Sequence, residues 1–487
     1  MDIHEAVFIG IDLGTGGVRA LAVTETGHVL AAVSVSLDAA VIPKNQGLHE
    51  QAPLIWWDKL CEAVAGLMND LSADGIAPDA LSALSVDGTS GTVTCLDADG
   101  RPLRPAIMYN DARAGAEAAE LTDAAADFCS RLGYRFETSF SLSKILWVQR
   151  HEPEIFEQTA HFMHQSDYIQ GCLIGDFSVS DYSNALKTGY DLLDECWPGW
   201  MERFSGITDR LPRVVAPGTQ IGRICAEAAE KTGLPVGLPV VSGATDGTAG
   251  CLVSGIREPG DYNTSLGTTL IFKGISAEIC RHPDGIIYSH KLPGGYWLPG
   301  AASNTGGEWI AFEFCDEDLG VLDAIAAQKL PSPYIAYPLA RRGERFPFLC
   351  ESAEGFCIPD PASNEDRYAA GLQGTAFVER MAYRVMDDAT GASGGEVYCT
   401  GGGSRSDIWM QCRADATGRV LHRPVFPEAA FGSAVLAATG VFYNDLWEAI
   451  RNMVRTDRSF SPNADHRQRY DDLYGQFCDE IDRRKYR

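Results

Sequence analysis

The spacing of apolar positions along the chain changes several times, and each change marks an element. Residues 6–12, 17–23 and 28–35 are short apolar, β-branched runs separated by tight connections, with "TETGH" (24–28) as one turn. That pattern predicts an antiparallel meander of three strands. The period then lengthens. After Pro53, residues Trp57, Leu60, Cys61, Val64, Leu67, Met68 and Leu71 share one face at helical spacing, which predicts an amphipathic helix opened by the proline. Strands are expected over 81–86 and 92–97, with "DADG" (97–100) as a hairpin turn. Residues 116–175 read as largely helical, and strand-like chain resumes near 236–242. At the other end Tyr470, Leu473, Tyr474, Phe477 and Ile481 line one face of a final helix. Its basic residues cluster at the C-terminal end, where the helix dipole favours them.

After about residue 250 the pattern restarts. Leu13-Gly14-Thr15 joins two apolar runs, and Leu266-Gly267-Thr268 does the same. Asp87-Gly88-Thr89-x-Gly91 is echoed by Asp246-Gly247-Thr248-x-Gly250. A chain of 487 residues exceeds one core. With no low-complexity linker between the halves, the expected organisation is an N-terminal lobe (1–250), a C-terminal lobe (251–430) packed across a cleft, and a helical segment (431–487) packing back on them.

Charge narrows the partners. A net charge of −26 argues against a protein that coats nucleic acid or an anionic membrane, because both need a basic surface. A small anion is still accessible, since backbone N–H groups and a bound cation hold phosphate within an acidic protein. Fourteen cysteines without a C-x-x-C read as reduced thiols, not as a disulfide framework or zinc site. No leader pattern and no long apolar run is present, so the expected location is the cytoplasm. Nothing in the sequence fixes the oligomeric state, which leaves a homodimer open.

The candidate chemistry lies in the turns. A glycine turn between strands offers unhindered N–H groups to an anion, and a threonine hydroxyl adds a donor. Two such turns, at Asp12, Thr15 and Gly16 and at Gly267 and Thr268, could grip a polyphosphate. A bare carboxylate beside phosphate is repulsive, so Asp12 implies a divalent cation or its water shell between them. A third glycine cluster, Gly401-Gly402-Gly403, follows a strand and precedes a helix whose N-terminus could receive a nucleotide. Asp246, after an apolar strand and beside a glycine surface, is placed to be a helix cap or a general base. There is no G-x-x-x-x-G-K-[ST], and the first turn does not match a dinucleotide fingerprint: Arg19 stands at the last glycine and a strand follows.

Taken in order, these segments resemble the FGGY carbohydrate kinases, which have the α/β, two-lobed actin-like ATPase (ribonuclease H-like) fold with a central cleft. The resemblance runs through "DLGTGGVR", "GLHEQAPLIWW", "SLSKILWVQRHEPEIF", "SGATDGTAGCL", "TSLGTTL", "RGERFP" and "TGGGSRSDIWMQ". It implies a kinase using ATP and Mg2+ on a small sugar. By that resemblance Asp246 is the catalytic base, and Asp12, Thr15 and Gly16 form the first phosphate turn. Gly267 and Thr268 form the second, and Gly402, Gly403, Ser406 and Trp409 the nucleoside segment. The metal would be held by Asp12 and Asp246 through water. Gly16 stands where many relatives have serine. The stretch "SVDGTSGTVTCLD" lacks the Gln-Met-His motif of typical xylulokinases and most resembles the D-ribulose kinases, with Asp12, Ser90 and Asp246 lining the sugar site.

Overall fold

The computed structural model describes residues 5–37, 47–392 and 394–487. The first four residues, on which the expectation about a leader partly rests, lie outside that set. The chain divides into two compact units. One comprises Met1–Val253, His290–Gly295 and Glu428–Arg455; the other comprises Ser254–Ser289, Tyr296–Pro427 and Thr456–Arg487.

In the first unit, strands Val7–Leu13, Gly17–Thr24 and Val29–Ser36 form the antiparallel meander that the alternating pattern predicts. Every residue of the first strand is buried, which accounts for its unbroken apolar run. Leu81–Gly88 pairs parallel with it, Pro239–Val241 adds parallel to Leu81–Gly88, and Gln220–Arg223 closes the order antiparallel. Helix Pro53–Ala73 buries Trp57, Leu60, Val64, Leu67 and Leu71, and also Trp56, whose indole N–H donates to Gln51. Helix Ala429–Val441, remote in sequence, lies on the central strands. A Cβ on Gly10 would come within 1.8 Å of the Ala430 carbonyl oxygen, so only glycine admits this helix to the strand.

The second unit repeats the scheme. Trp297–Ser303, Leu270–Gly274 and Tyr262–Leu266 are antiparallel neighbours, Val397–Thr400 and Leu421–Pro424 follow in parallel, and Thr456–Phe460 closes antiparallel. Over these six strands the sense of pairing matches that of the first unit. Helix Asn364–Thr390 carries the buried face of this unit, and Arg413 anchors helix Asp407–Thr417 to it through two hydrogen bonds to Glu379, both residues fully buried. The final helix, Arg467–Arg483, buries the five residues its periodicity selects: Tyr470, Leu473, Tyr474, Phe477 and Ile481. All fourteen cysteines are free, and among the described residues no helix is long and apolar enough to cross a membrane.

Gly10→Ala should lower stability by about 1–3 kcal/mol through overpacking of the Ala429–Val441 helix, read as a lower urea midpoint. An unchanged midpoint would mean that the helix is not seated on the strand.

Candidate active site

Three carboxylates meet where the parallel strands of the first unit end. Asp12 is the second-last residue of its strand and pairs in register with Asp87 near the end of Leu81–Gly88. An isolated parallel bridge between Gly88 and Thr245 brings the next residue, Asp246, to the same edge. The carboxyl ends of parallel strands are where open α/β sheets bind ligands. The echo between the Asp87 and Asp246 motifs is thus spatial rather than conformational. Asp87-Gly88 ends a strand, whereas Asp246 opens helix Asp246–Leu252 behind Thr245 at the N-cap position.

The three acids have different surroundings. Arg19, opposite Asp12 in the antiparallel pair, donates from Nη1 to its Oδ2 at 3.2 Å. Asp87 is fully buried; Ser433 Oγ donates to its Oδ2 at 2.6 Å, and its Oδ1 has no partner among the described residues. Burial, and next the Asp12 charge, hold Asp87 well above the usual carboxylate range; the Ser433 hydrogen bond opposes this and Asp246 adds to it. A proton on Asp87 thereby removes one of three like charges. Asp246 is half-buried, and its Oδ1 accepts the Gly247 N–H at 2.6 Å.

Beside these acids the turn after Asp87 is held by hydrogen bonds at Thr89 and leaves the side chain of Ser90 unpaired among the described residues. The Thr89 N–H and hydroxyl both donate to Gln165 Oε1, at 2.9 and 2.6 Å, and the Thr89 and Thr92 hydroxyls are 2.7 Å apart. Ser90 Oγ is buried without a partner among the described residues. Leaving such a hydroxyl unpaired costs about 1–3 kcal/mol, so its position marks a place for a polar ligand.

The first glycine turn is held from outside. Gly14 N–H donates to Gly17 at 3.0 Å, and Gln51 Nε2 donates to the Thr15 carbonyl at 2.9 Å. The Thr15 and Gly16 amides donate to nothing among the described residues, and a Cβ on Gly16 would meet nothing within 4 Å. The second turn, in the other unit, has the same character. Gly307 N–H and Glu308 N–H donate to the Gly267 and Thr268 carbonyls, Thr268 is exposed, and a Cβ on Gly267 would face open space. Both turns leave backbone open at Gly16 and Gly267, while the Gly267 N–H itself donates to the Thr269 carbonyl at 3.1 Å.

In the third cluster only Gly402 faces open space, since Gly401 (φ +82°) and Gly403 close on Leu266. Ser406 caps helix Asp407–Thr417 by accepting the Trp409 N–H at 3.0 Å. Trp409 itself is buried: its indole N–H donates to the Leu372 carbonyl, and its ring edge abuts Gly307 beneath the second turn. Among the described residues no three His, Cys, Asp or Glu side chains stand close enough to hold a metal directly. The available donor set suits a hydrated cation beside carboxylates rather than a closed protein cage.

Of the residues that the sequence singles out, Asp12, Thr15, Gly16, Ser90 and Asp246 all lie in the first unit, and Gly267, Thr268, Gly402, Gly403, Ser406 and Trp409 all lie in the second. Sequence patterns give no role to Ser433, Gln165, Gln51 or Arg19, and show Asp87 only as half of an echo. Gln51, within the "HEQ" preceding Pro53, carries a local signal; Ser433, 346 residues from Asp87, carries none.

A raised pKa gives a signed prediction for Asp87. The folded state holds its proton to higher pH than the unfolded chain, so its favourable contribution is complete below the unfolded pKa and is lost as pH rises through the folded one. Asp87→Asn, which carries no titrating proton, should gain in Tm relative to wild type as pH increases from 5 to 9. A difference in Tm that stays constant with pH would contradict a protonated Asp87.

Comparison with known proteins gives this geometry a family. Residues 7–253 match the N-terminal domain, and residues 262–441 the C-terminal domain, of the FGGY family of carbohydrate kinases. The chain is 30% identical to the xylulose kinase of Escherichia coli strain K12, over 85% of this chain and 86% of that protein. It is 28% identical to the xylulose kinase of Bacillus subtilis strain 168, over 96% and 95% of the two chains. The crystal structure of xylulose kinase from Rhodospirillum rubrum superimposes with a TM-score of 0.85, at 28% identity over 98% of each chain. The two matching sheets are those of the actin-like ATPase fold. By two family domains and near-complete structural coverage, this chain belongs to the FGGY carbohydrate kinases and is a sugar kinase.

Proposed function

We propose that the protein transfers the γ-phosphoryl group of ATP to the terminal hydroxyl of a ketopentose, D-ribulose before others, to give D-ribulose 5-phosphate and ADP. The observation that carries this reading is the unpaired buried hydroxyl of Ser90, in a turn adjoining Asp87 and the end of the Asp12 strand. The stretch "SVDGTSGTVTCLD" around Ser90 lacks the methionine and histidine of the typical xylulokinase motif, so in this reading the turn offers a small hydroxyl and bare backbone to the acceptor.

In this reading Asp246 accepts the proton of the attacking hydroxyl. The new bond joins the acceptor oxygen to the γ-phosphorus as the bond from phosphorus to the bridging oxygen of ADP breaks. Such a transfer asks the protein for alignment and charge neutralisation more than for covalent chemistry. Asp87, kept neutral, spares the base and the incoming phosphates a further negative charge and leaves a donor at the edge. Thr15, Gly16, Gly267 and Thr268 would meet phosphate oxygens with backbone N–H and hydroxyl groups. Gly402, Gly403 and Ser406 would line the nucleoside side, with Trp409 behind them. Asp12 and Asp246 would hold Mg2+ through its waters; when bound, the ion neutralises the phosphate charge.

A second reading, D-xylulose as acceptor, is supported by the names of the relatives at 28–30% identity. Discrimination between ketopentoses rests on pairing of buried hydroxyls, which a single changed side chain alters by orders of magnitude. ADP release with MgATP should show the highest kcat/KM for D-ribulose among D-ribulose, D-xylulose, L-ribulose, ribitol and glycerol. A higher value for D-xylulose would replace the acceptor and keep the chemistry; no stimulation by any of them would overturn the pentulose reading.

A further inference from the structure

Lys144 occupies an unusual position for a charged residue. It is fully buried in helix Ser141–His151, makes no ion pair among the described residues, and donates from Nζ to the Gly91 carbonyl at 2.8 Å and the Tyr109 carbonyl at 3.5 Å. Gly91 is the residue after Ser90. Its φ of +91° lies in the left-handed region, and a Cβ there would come within 2.2 Å of the Ser139 carbonyl oxygen. The Ser90 turn is therefore fixed at both ends, by Gln165 holding Thr89 and by Lys144 holding Gly91. Only the second clamp carries a charge.

We infer that Lys144 is a positioning residue for the sugar acceptor: its ammonium sets the Ser90–Gly91 turn, and loss of that charge weakens acceptor binding without touching nucleotide binding. This rests on the reading of Ser90 as part of the acceptor site.

The surroundings explain why the charge is responsive. From the turn after Leu186 comes Lys187, half-buried, its stem within 3.8 Å of a Cβ placed on Gly91 and its ammonium 4.1 Å from the Phe140 ring centre. From the loop after Tyr109 come Asp111 and Arg113, but the Asp111 carboxylate is already occupied by the Arg113 guanidinium and the His49 N–H. His164, before helix Gln165–Ile174, bonds to Thr188 and Ser141 and is kept neutral, pushed down to about 3 by burial and then by Lys144. Among the described residues no anion is dedicated to Lys144. Burial, followed by Lys187, lowers it to about 7, while Asp111 pulls the other way. The sign is fixed: the ammonium is present below that pH and is lost as pH rises through it. A charged donor holds a carbonyl about twice as strongly as a neutral one.

The test is the acceptor KM for D-ribulose at saturating MgATP from pH 6 to 9. Wild type should show KM rising about fivefold across an inflection near neutrality, with no matching inflection in the KM for ATP. Lys187→Met removes the neighbouring positive charge and should move the inflection to higher pH. Lys144→Met should raise acceptor KM at pH 6.5 and flatten the profile; Lys144→Arg, which stays charged, should keep KM low and lose the inflection. If Lys144→Met does not fold, the wild-type and Lys187→Met profiles decide. A flat wild-type profile, with Ser90→Ala still raising acceptor KM, overturns the role of Lys144 and leaves the acceptor site standing. Ser90→Ala without effect on acceptor KM overturns the acceptor reading, and this inference with it.

Discussion

Like-charge repulsion among Asp12, Asp87 and Asp246 is the constraint around which the first unit is organised. Parallel pairing of two strands puts Asp12 and Asp87 side by side, and the bridge from Gly88 to Thr245 adds the third acid. Three carboxylates at one sheet edge cannot all be ionised at little cost. The structure relieves the conflict in three ways. Arg19 reaches Asp12 from the next strand, burial and the Asp12 charge raise Asp87 well above the usual carboxylate range and so favour its neutral form, and Asp246 stands half-open at a helix start. Under the proposed function, separation of the three into paired, neutral and accessible acids would let one edge hold a base without also repelling a phosphate donor.

Backbone geometry supplies the rest. Each unit builds the same antiparallel trio joined to two parallel strands, and each places a glycine turn between its first two strands. The turn follows from the hairpin, and the openness of Gly16 and Gly267 follows from the missing side chains. Repetition of that unit explains why Leu-Gly-Thr appears twice. The sugar side needs more than glycine. Gln165, Lys144 and Ser433 fix the Thr89–Gly91 turn and the neighbouring acid from three separate segments, and Thr92 adds a contact from within the turn's own segment, so its shape depends on the fold as well as on the local motif.

The legible part of the sequence is local. The meander is readable because strand alternation and turn residues are short-range signals, and the last helix is readable because its five apolar residues share one face. Trp56, four residues before Leu60, lies on the same buried helical stripe as Leu60, Val64, Leu67 and Leu71, and Gln51 and Tyr168 meet its indole from other elements. Trp409 reads as lining a nucleoside segment, yet its side chain lies in the core of its unit, a distinction that needs the packing of Trp309 and Leu372 around it. The two Asp-Gly-Thr echoes carry the same letters in a strand end and a helix start, because a short glycine motif does not determine the element that comes after it. Ser433 and Lys144 are invisible as site residues: one is a hydroxyl in an alanine-rich helix, the other a lysine in an amphipathic one, and neither adjoins in sequence the group it holds.

The division of labour among the three acids is tested most directly by Asp246→Asn. MgATP should still bind by calorimetry, with Asp12 continuing to face the ion and a loss confined to one water-mediated contact, and single-turnover phosphoryl transfer to D-ribulose should fall by about 10²–10⁴-fold, the range of a lost general base. Transfer at close to the wild-type rate would contradict the assignment of Asp246 as the base and with it the account of why the sheet gathers its carboxylates at this edge.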